Sequence, residues 1–307
     1  MQGDGCFEVL DGRFERLFVS TAKLDTLYTG CRWSEGPAYF PAGRYLVWSD
    51  IPNDRMLRYD ECDGSVAVFR HSSNHSNGNT TDRAGRLVTC EHGGRRISRT
   101  EVDGRVITLA DSYRGKRLNS PNDVVEKSDG SLWFTDPTYG IDSDYEGHKS
   151  EVEQAGNFVY RLDPRSGDLK VVADDFVQPN GIAFSPDERL LYIVDTGASH
   201  VKNGPRHIRV FDVGEDGIAL KGGKVFATCP VGMFDGMRVD VHGNIWTSSG
   251  EGVLCYGPDG KLLGKVLIPE VVANVEFGGP KRNRLYICGT TSLYAIYVNA
   301  QGASWPK

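Results

Sequence analysis

Polar residues recur just before apolar or alternating runs along this chain, in the phrases SEGPAYF, SNGNTT, SPNDVV, QPNGIAF, MFDGMRV and VVANVEF. Aligned on Glu35, Asn77, Asn122, Asn180, Asp235 and Asn274, these phrases are separated by 42, 45, 58, 55 and 39 residues. A period averaging about 48 residues falls in the range of propellers and other repeat arrays.

Each opening phrase is followed by a second apolar run: GRYLVWSD, GRLVTCEH, GSLWFTDP, ERLLYIVD, GNIWTSSG and NRLYICGT. A third run alternates in character, as in RMLRYDE, NFVYRLDP and RHIRVFDV. It leads through DG, SG or EDG turns into a fourth, such as VAVFRH, LKVVADDF or GKVFATC. Short alternating runs bounded by Gly and Asp turns read as antiparallel strands. Four strands per unit, six units and no convincing amphipathic helix predict an all-β fold, a six-bladed β-propeller spanning residues 1–307 as one domain.

The sixth repeat runs out near Ala303 without a fourth strand. An open strand edge invites aggregation, so the N-terminal segment 1–30 is expected to help close the last blade. Either RFERLFV or KLDTLYTG could supply the strand.

In a propeller the first strand of each blade lines the central channel, and the start of the first strand shares a face with the end of the second. The six aligned polar residues therefore ring one mouth, with Asp50, Glu91, His92, Asp136 and Asp195 close by. The two longest loops, YGIDSDYEGHKSEVEQAG and TGASHVKNGPRH, open on the same face. Carboxylates and amides facing one another repel unless a cation lies among them, and all-oxygen donors suit Ca²⁺, Mg²⁺ or Mn²⁺. The competing reading is that these Asn-Gly, Asp-Gly and Asn-Asp pairs are turns that lead into each blade.

Charge and composition narrow the partners. A net charge of −6 and a pI near 5.7 disfavour a nucleic-acid phosphate grip. No apolar run is long enough to cross a bilayer, and no secretory signal pattern opens the chain as given. Seven cysteines without a CxxC pair suit free thiols in the cytoplasm. A periplasmic location stays open if a signal was removed. HExxH and GxSxG motifs are absent. His92, in CEHGGRR at the expected mouth, is a candidate proton shuttle or substrate contact.

The phrases WSEGPAYF, RLNSPNDVV, LWFTDPTYG, QPNGIAFSPDERLLYIVDT and FDGMRVDVHGNIWTS together resemble the gluconolactonase and regucalcin-like lactonase family, from about Cys31 to about Tyr297. The resemblance implies a six-bladed propeller with one divalent cation, Ca²⁺ favoured and Zn²⁺, Mn²⁺ or Mg²⁺ open, in the channel. It implies Glu35, Asn180 and Asp235 as ligands, with Asp136 a fourth by analogy to related lactonases. It implies substrate contact at Asn122. The family's RxND phrase is lengthened here to RLNSPND, so Arg117 and Asn119 compete for the family's arginine position. His92 and Tyr139 are further candidates to bind sugar hydroxyls. The implied activity is hydrolysis of a sugar lactone, glucono-1,5-lactone first, with Asp235 as general base. A phosphotriesterase or other-ring lactonase on the same cradle, or a calcium-binding propeller without catalysis, are the alternatives. The expected assembly is a monomer or weak dimer.

Overall fold

The computed structural model describes residues 5–303, so Met1 to Asp4 at the start of the segment expected to close the ring lie outside the described residues. Six antiparallel sheets are arranged as the blades of a propeller. Blade 1 comprises Ser34–Phe40, Tyr45–Asp50, Arg55–Asp60 and Val66–His71, and blade 2 comprises Ser76–Thr81, Leu87–Glu91, Arg96–Thr100 and Val106–Ala110. Blade 3 runs through Val124–Glu126, Leu132–Asp136, Asn157–Asp163 and Asp168–Phe176. Blade 4 runs through Pro179–Phe184, Leu190–Asp195, His207–Val213 and Leu220–Thr228. Blade 5 begins with Met237–Val239, Ile245–Ser249, Gly252–Tyr256 and Leu262–Leu267, and blade 6 with Val272–Gly278, Arg284–Gly289 and Ser292–Tyr297. Among the described residues the one α-helix is a single turn, Tyr139–Asp142.

Asp25–Thr29, within KLDTLYTG, completes blade 6 by antiparallel pairing with Ser292–Tyr297, Asp25 opposite Ala295 and Thr29 opposite Ser292. The other candidate segment behaves differently. RFERLFV enters a 3₁₀ turn, Gly12–Arg16, capped by Asp11, which buries Phe14 against Trp246, Phe7 and Phe18. The preceding residues Phe7–Val9 add a fifth strand to blade 5, a pairing with no counterpart in the repeat pattern.

The buried apolar side chains fall into six clusters, one in each gap between adjacent blades. The cluster joining blades 6 and 1 sets Trp48, Leu46 and Tyr59 against Tyr286, Cys288 and Leu293, so the ring is sealed by core packing as well as by strand pairing. The apolar cluster between blades 1 and 2 is the smallest. A buried polar seam supplements it. Asn79 Nδ2 donates to the carbonyls of Gly36 and Asn77 and to Ser49 Oγ, while Asn79 Oδ1 accepts from Thr89. The polar character of SNGNTT follows from that seam, because a buried amide is tolerated when all its hydrogen bonds are made.

The glycines after the aligned polar residues mark contacts between blades. A Cβ at Gly36 would overlap the carbonyl of Asn77, and one at Gly78 the carbonyl of Asn122. Gly181 lies in the same way on the carbonyl of Asp235, and Gly236 on the side chain of Asn274. Only Gly36 of these four has a positive φ, so close approach and not turn formation requires the other three. The turn reading of these pairs is therefore corrected in blades 2 and 4, where they lie within strands. Pairing in blades 1, 2, 4 and 6 shifts register at this point, between Glu35 and Ala38, Ser76 and Asn79, Pro179 and Ile182, and Val272 and Asn274. A bulge of this kind bends the strand and re-aims a side chain. At the opposite mouth the channel opens into a cavity of about 410 Å³, whose lining includes Arg83, Glu126, Arg238, Glu276 and Arg282.

Candidate active site

The bulged first strands of blades 1 and 4 carry Glu35 and Asn180, and the segment leading into Met237–Val239 brings Asp235 to them. Glu35 is buried and accepts hydrogen bonds from Asn274 Nδ2 at 2.9 Å and from the Gly36 amide. Burial pushes its pKa up to about 8, with Asp123 adding repulsion and Asn274 opposing the rise. Asp235 is partly exposed to the channel, its backbone N–H fixed on Ser248 Oγ at 2.8 Å. Desolvation raises its pKa well above the ordinary carboxylate range, followed by repulsion from Glu35, Glu146 and Asp123, while a hydrogen bond from Asn180 acts the other way. Asn180 also donates to Thr196 Oγ1 at 3.4 Å. The side-chain amide of Asn122 is buried and makes no hydrogen bond among the described residues.

Repulsion from Glu35 helps to raise the pKa of Asp235, so the charge of this site is uncompensated, and such a site gains from a cation. The donors are all oxygen and include neutral amides, the ligand chemistry of Ca²⁺ and related hard ions. Among the described residues no three side chains of His, Cys, Asp or Glu converge on one point, so a cation here must draw on amide oxygen as well as on Glu35 and Asp235. Below the pair lies Arg238, whose Nε donates to Glu276 at 2.8 Å and whose Nη1 lies 3.9 Å from Asp123.

Asp136, expected near the cation, is tied to the scaffold through one of its carboxylate oxygens. Its buried Oδ2 accepts the Asn119 backbone N–H at 2.9 Å, and the polar groups acting on its ionisation are the Asn119 and Ser120 amides and Arg95. The same arrangement recurs at other second-strand ends. Asp50 accepts from the Arg32 amide, and Asp195 from the amides of Val177, Gln178 and Gly197. These acids hold the segment that leads into their own blade, because those backbone donors would otherwise be buried without partners. Burial pushes Asp136 up to about 7, and its Oδ1 has no hydrogen-bond partner.

Asn119 is likewise engaged in the scaffold, donating from Nδ2 to the carbonyls of Asp136 and Gly156 and to Asn157 Oδ1. Arg117 is exposed on a two-stranded ribbon outside the blades, where its guanidinium donates to the Gly94 carbonyl and its amide to Glu153. Neither makes a hydrogen bond to the Glu35, Asn180 and Asp235 group. Tyr139 stands nearer, since Asp235 is among the groups that raise its pKa, to about 12, after desolvation. Its hydroxyl is hydrogen-bonded to Thr196 Oγ1 at 2.6 Å and Ser199 Oγ at 2.8 Å. These contacts tie the two long loops together, and the pair between Asp142 and His200, at 2.7 Å, ties them again.

One group near the site escaped the sequence reading. Glu146, in the middle of the longer loop, comes close enough to Asp235 to repel it, and burial lifts its own pKa to about 7. Loop length and acidity were visible, but no local pattern says which loop carboxylate folds inward.

The sequence profile of the SMP-30/Gluconolactonase/LRE-like region matches residues 33–291. The chain belongs to the SMP-30/gluconolactonase family. Within this family it is 29% identical over 313 residues to a gluconolactonase of Zymomonas mobilis, with 94% of this chain and 85% of that protein covered. It is 31% identical over 274 residues to a pentonolactonase of Haloferax volcanii, covering 84% of this chain and 82% of the relative. The solved structure of a gluconolactonase from Xanthomonas campestris matches with a TM-score of 0.89 at 40% identity, over 97% of this chain and 96% of that one.

Proposed function

We propose that this protein hydrolyses a sugar lactone, glucono-1,5-lactone being the first candidate, with a divalent cation held by Glu35, Asn180 and Asp235. The observation that carries this reading is the pair of mutually repelling carboxylates, Glu35 and Asp235, at the channel mouth. Ca²⁺ fits the oxygen donors best. When bound, the cation supplies polarisation of the lactone carbonyl and stabilisation of the developing oxyanion.

The chain's own groups do the rest. Asp235 accepts a proton from the attacking water, and Glu146, near it in the loop, is placed to share the proton. The free amide of Asn122 binds a polar group of the substrate. The Tyr139 ring, held by Thr196 and Ser199, walls the mouth on the blade 4 side. Water attacks the carbonyl carbon, the ring C–O bond breaks, the ring oxygen takes a proton, and a carboxylic acid forms and ionises. No covalent nucleophile is required, because a lactone is an activated ester.

Glu35→Gln and Asp235→Asn test this reading, since each removes one anionic charge with little change in volume. Each should lower lactone hydrolysis in a pH-stat by about 10- to 100-fold or more and weaken Ca²⁺ binding in calorimetry. Wild-type turnover by either variant at saturating Ca²⁺ would sink the assignment. Chelator-resistant turnover by the native protein would remove the cation from it.

A further inference from the structure

His92 is fully buried beneath the long loop, and both its ring nitrogens are engaged: Nδ1 lies 3.1 Å from the Glu146 carbonyl oxygen, Nε2 3.1 Å from Asn77 Nδ2. A carbonyl oxygen can only accept, so Nδ1 carries a hydrogen. Burial drives the His92 pKa down to about 4, so the ring is neutral and Nε2 carries a lone pair. The group facing that lone pair must donate. The Asn77 amide therefore turns its NH₂ to His92, which points its oxygen the other way.

That oxygen is the exceptional atom. Asn77 is buried, and its Oδ1 has no hydrogen-bond partner. Most buried polar atoms are paired, so an unpaired buried acceptor calls for a partner. The backbone offers no relief. The Asn77 carbonyl accepts from Ser49 Oγ at 2.7 Å and Asn79 Nδ2 at 2.9 Å, and lies against Gly36 in the neighbouring blade. His92 is itself confined, because Gly140 leaves no room for a Cβ between the helical turn and the His92 side chain. The acceptor thus sits in the ring of first-strand residues, between the blade that carries Glu35 and the blade that Asn122 leads into.

We infer that Asn77 Oδ1 accepts a hydrogen bond from a substrate hydroxyl, and that His92 is the positioning residue that holds the amide in this orientation. The inference rests on the lactonase reading above and assigns within it the group that distinguishes a hydroxylated lactone from a bare ring. His92, a candidate contact or shuttle from sequence, has no ring nitrogen left for substrate. Its effect passes through Asn77.

The test compares glucono-1,5-lactone with δ-valerolactone, which has the same ring without hydroxyls. Asn77→Ala should lower kcat/KM on the hydroxylated lactone roughly 10-fold more than on the bare one, since it deletes an acceptor that only the former uses. His92→Phe frees the amide to flip, and should shift the same ratio in the same direction, chiefly through KM. Nitrogen-edited NMR of the wild-type imidazole should show a neutral ring protonated at Nδ1. Equal losses on both lactones overturn the inference, as does an Asn77→Ala variant that loses Ca²⁺ affinity, or a spectrum with Nε2 protonated. If the wild type turns over neither lactone, the lactonase reading falls and takes the substrate hydroxyl with it. The imidazole spectrum then still upholds or overturns the orientation of Asn77.

Discussion

Replacing Arg238 by Met puts the charge balance of the channel to a direct test. Arg238 is buried and lies between the site mouth and the opposite cavity, bonded to Glu276 at 2.8 Å and to the Met237 carbonyl at 2.9 Å, with Asp123 at 3.9 Å. At an effective dielectric of about 20, the gross attractions are roughly 6 kcal/mol to Glu276 and roughly 4 kcal/mol to Asp123. Desolvation of the guanidinium offsets much of this. Removing one partner of a buried ion pair nonetheless costs about 3–5 kcal/mol, because the remaining carboxylates stay buried without compensation. Asp123 Oδ2 would be left badly placed, since it already lacks a hydrogen-bond partner. An unfolding entropy of about 2.1 cal/mol/K per residue gives ~0.6 kcal/mol/K for the 307-residue chain. The melting temperature of Arg238→Met should then fall by about 5–8 °C in differential scanning calorimetry. Adding Glu276→Gln should restore part of the loss, because it removes one stranded charge. A fall below about 2 °C, or a double variant no better than additive, would refute the reasoning.

Three further outcomes are expected. Phe14→Ala should cost ~3–5 kcal/mol in chemical denaturation, and deletion of residues 1–30, which strips strands from blades 5 and 6, should produce oligomers in size-exclusion chromatography. Burial raises Glu126, at the opposite cavity, from 4.5 to about 7, so its stabilising contribution is complete below pH 4.5 and is lost as pH rises through 7. Glu126→Gln should flatten that part of a melting-temperature profile against pH, and an unchanged profile would contradict the assignment. Asp136→Ala should lower stability by about 1–3 kcal/mol and leave Ca²⁺ affinity in calorimetry within about threefold. A loss of affinity as large as that of Asn180→Ala would return Asp136 to the cation.

The strands were legible because their signals are local. Alternation and turn chemistry place Arg55–Asp60 or Asp168–Phe176 without help from distant residues. The ring of polar residues was legible because repetition reveals phase, and phase becomes position once the blades close. Long-range relations were not. Phe7–Val9 reads no differently from a loop until Leu262–Leu267 is beside it. The glycine in each NG or DG phrase was visible, but its reason lies in the next blade, where a carbonyl or an amide presses on it. Asp136 and Asp235 are both acids at the same mouth. Backbone amides of the entering segment claim one oxygen of Asp136, and composition carries no trace of that. His92 marks the same limit, since its tautomer is decided by a carbonyl 54 residues away.

The pairing of Asp25–Thr29 with Ser292–Tyr297 gives the ring a birth order. The inner strand of the pair is synthesised after blades 1 to 5, and its outer partner before them. Throughout synthesis the early segment must wait unpaired while blades 1 to 5 assemble from neighbouring sequence. Contacts at such separation form slowly, because closing so large a loop carries an entropic cost that is offset only once the pairing is made. The nascent chain is therefore an open arc with two exposed ends. Its final step is a docking event between those ends, and the interval before it is when the protein is most prone to join with a second copy of itself.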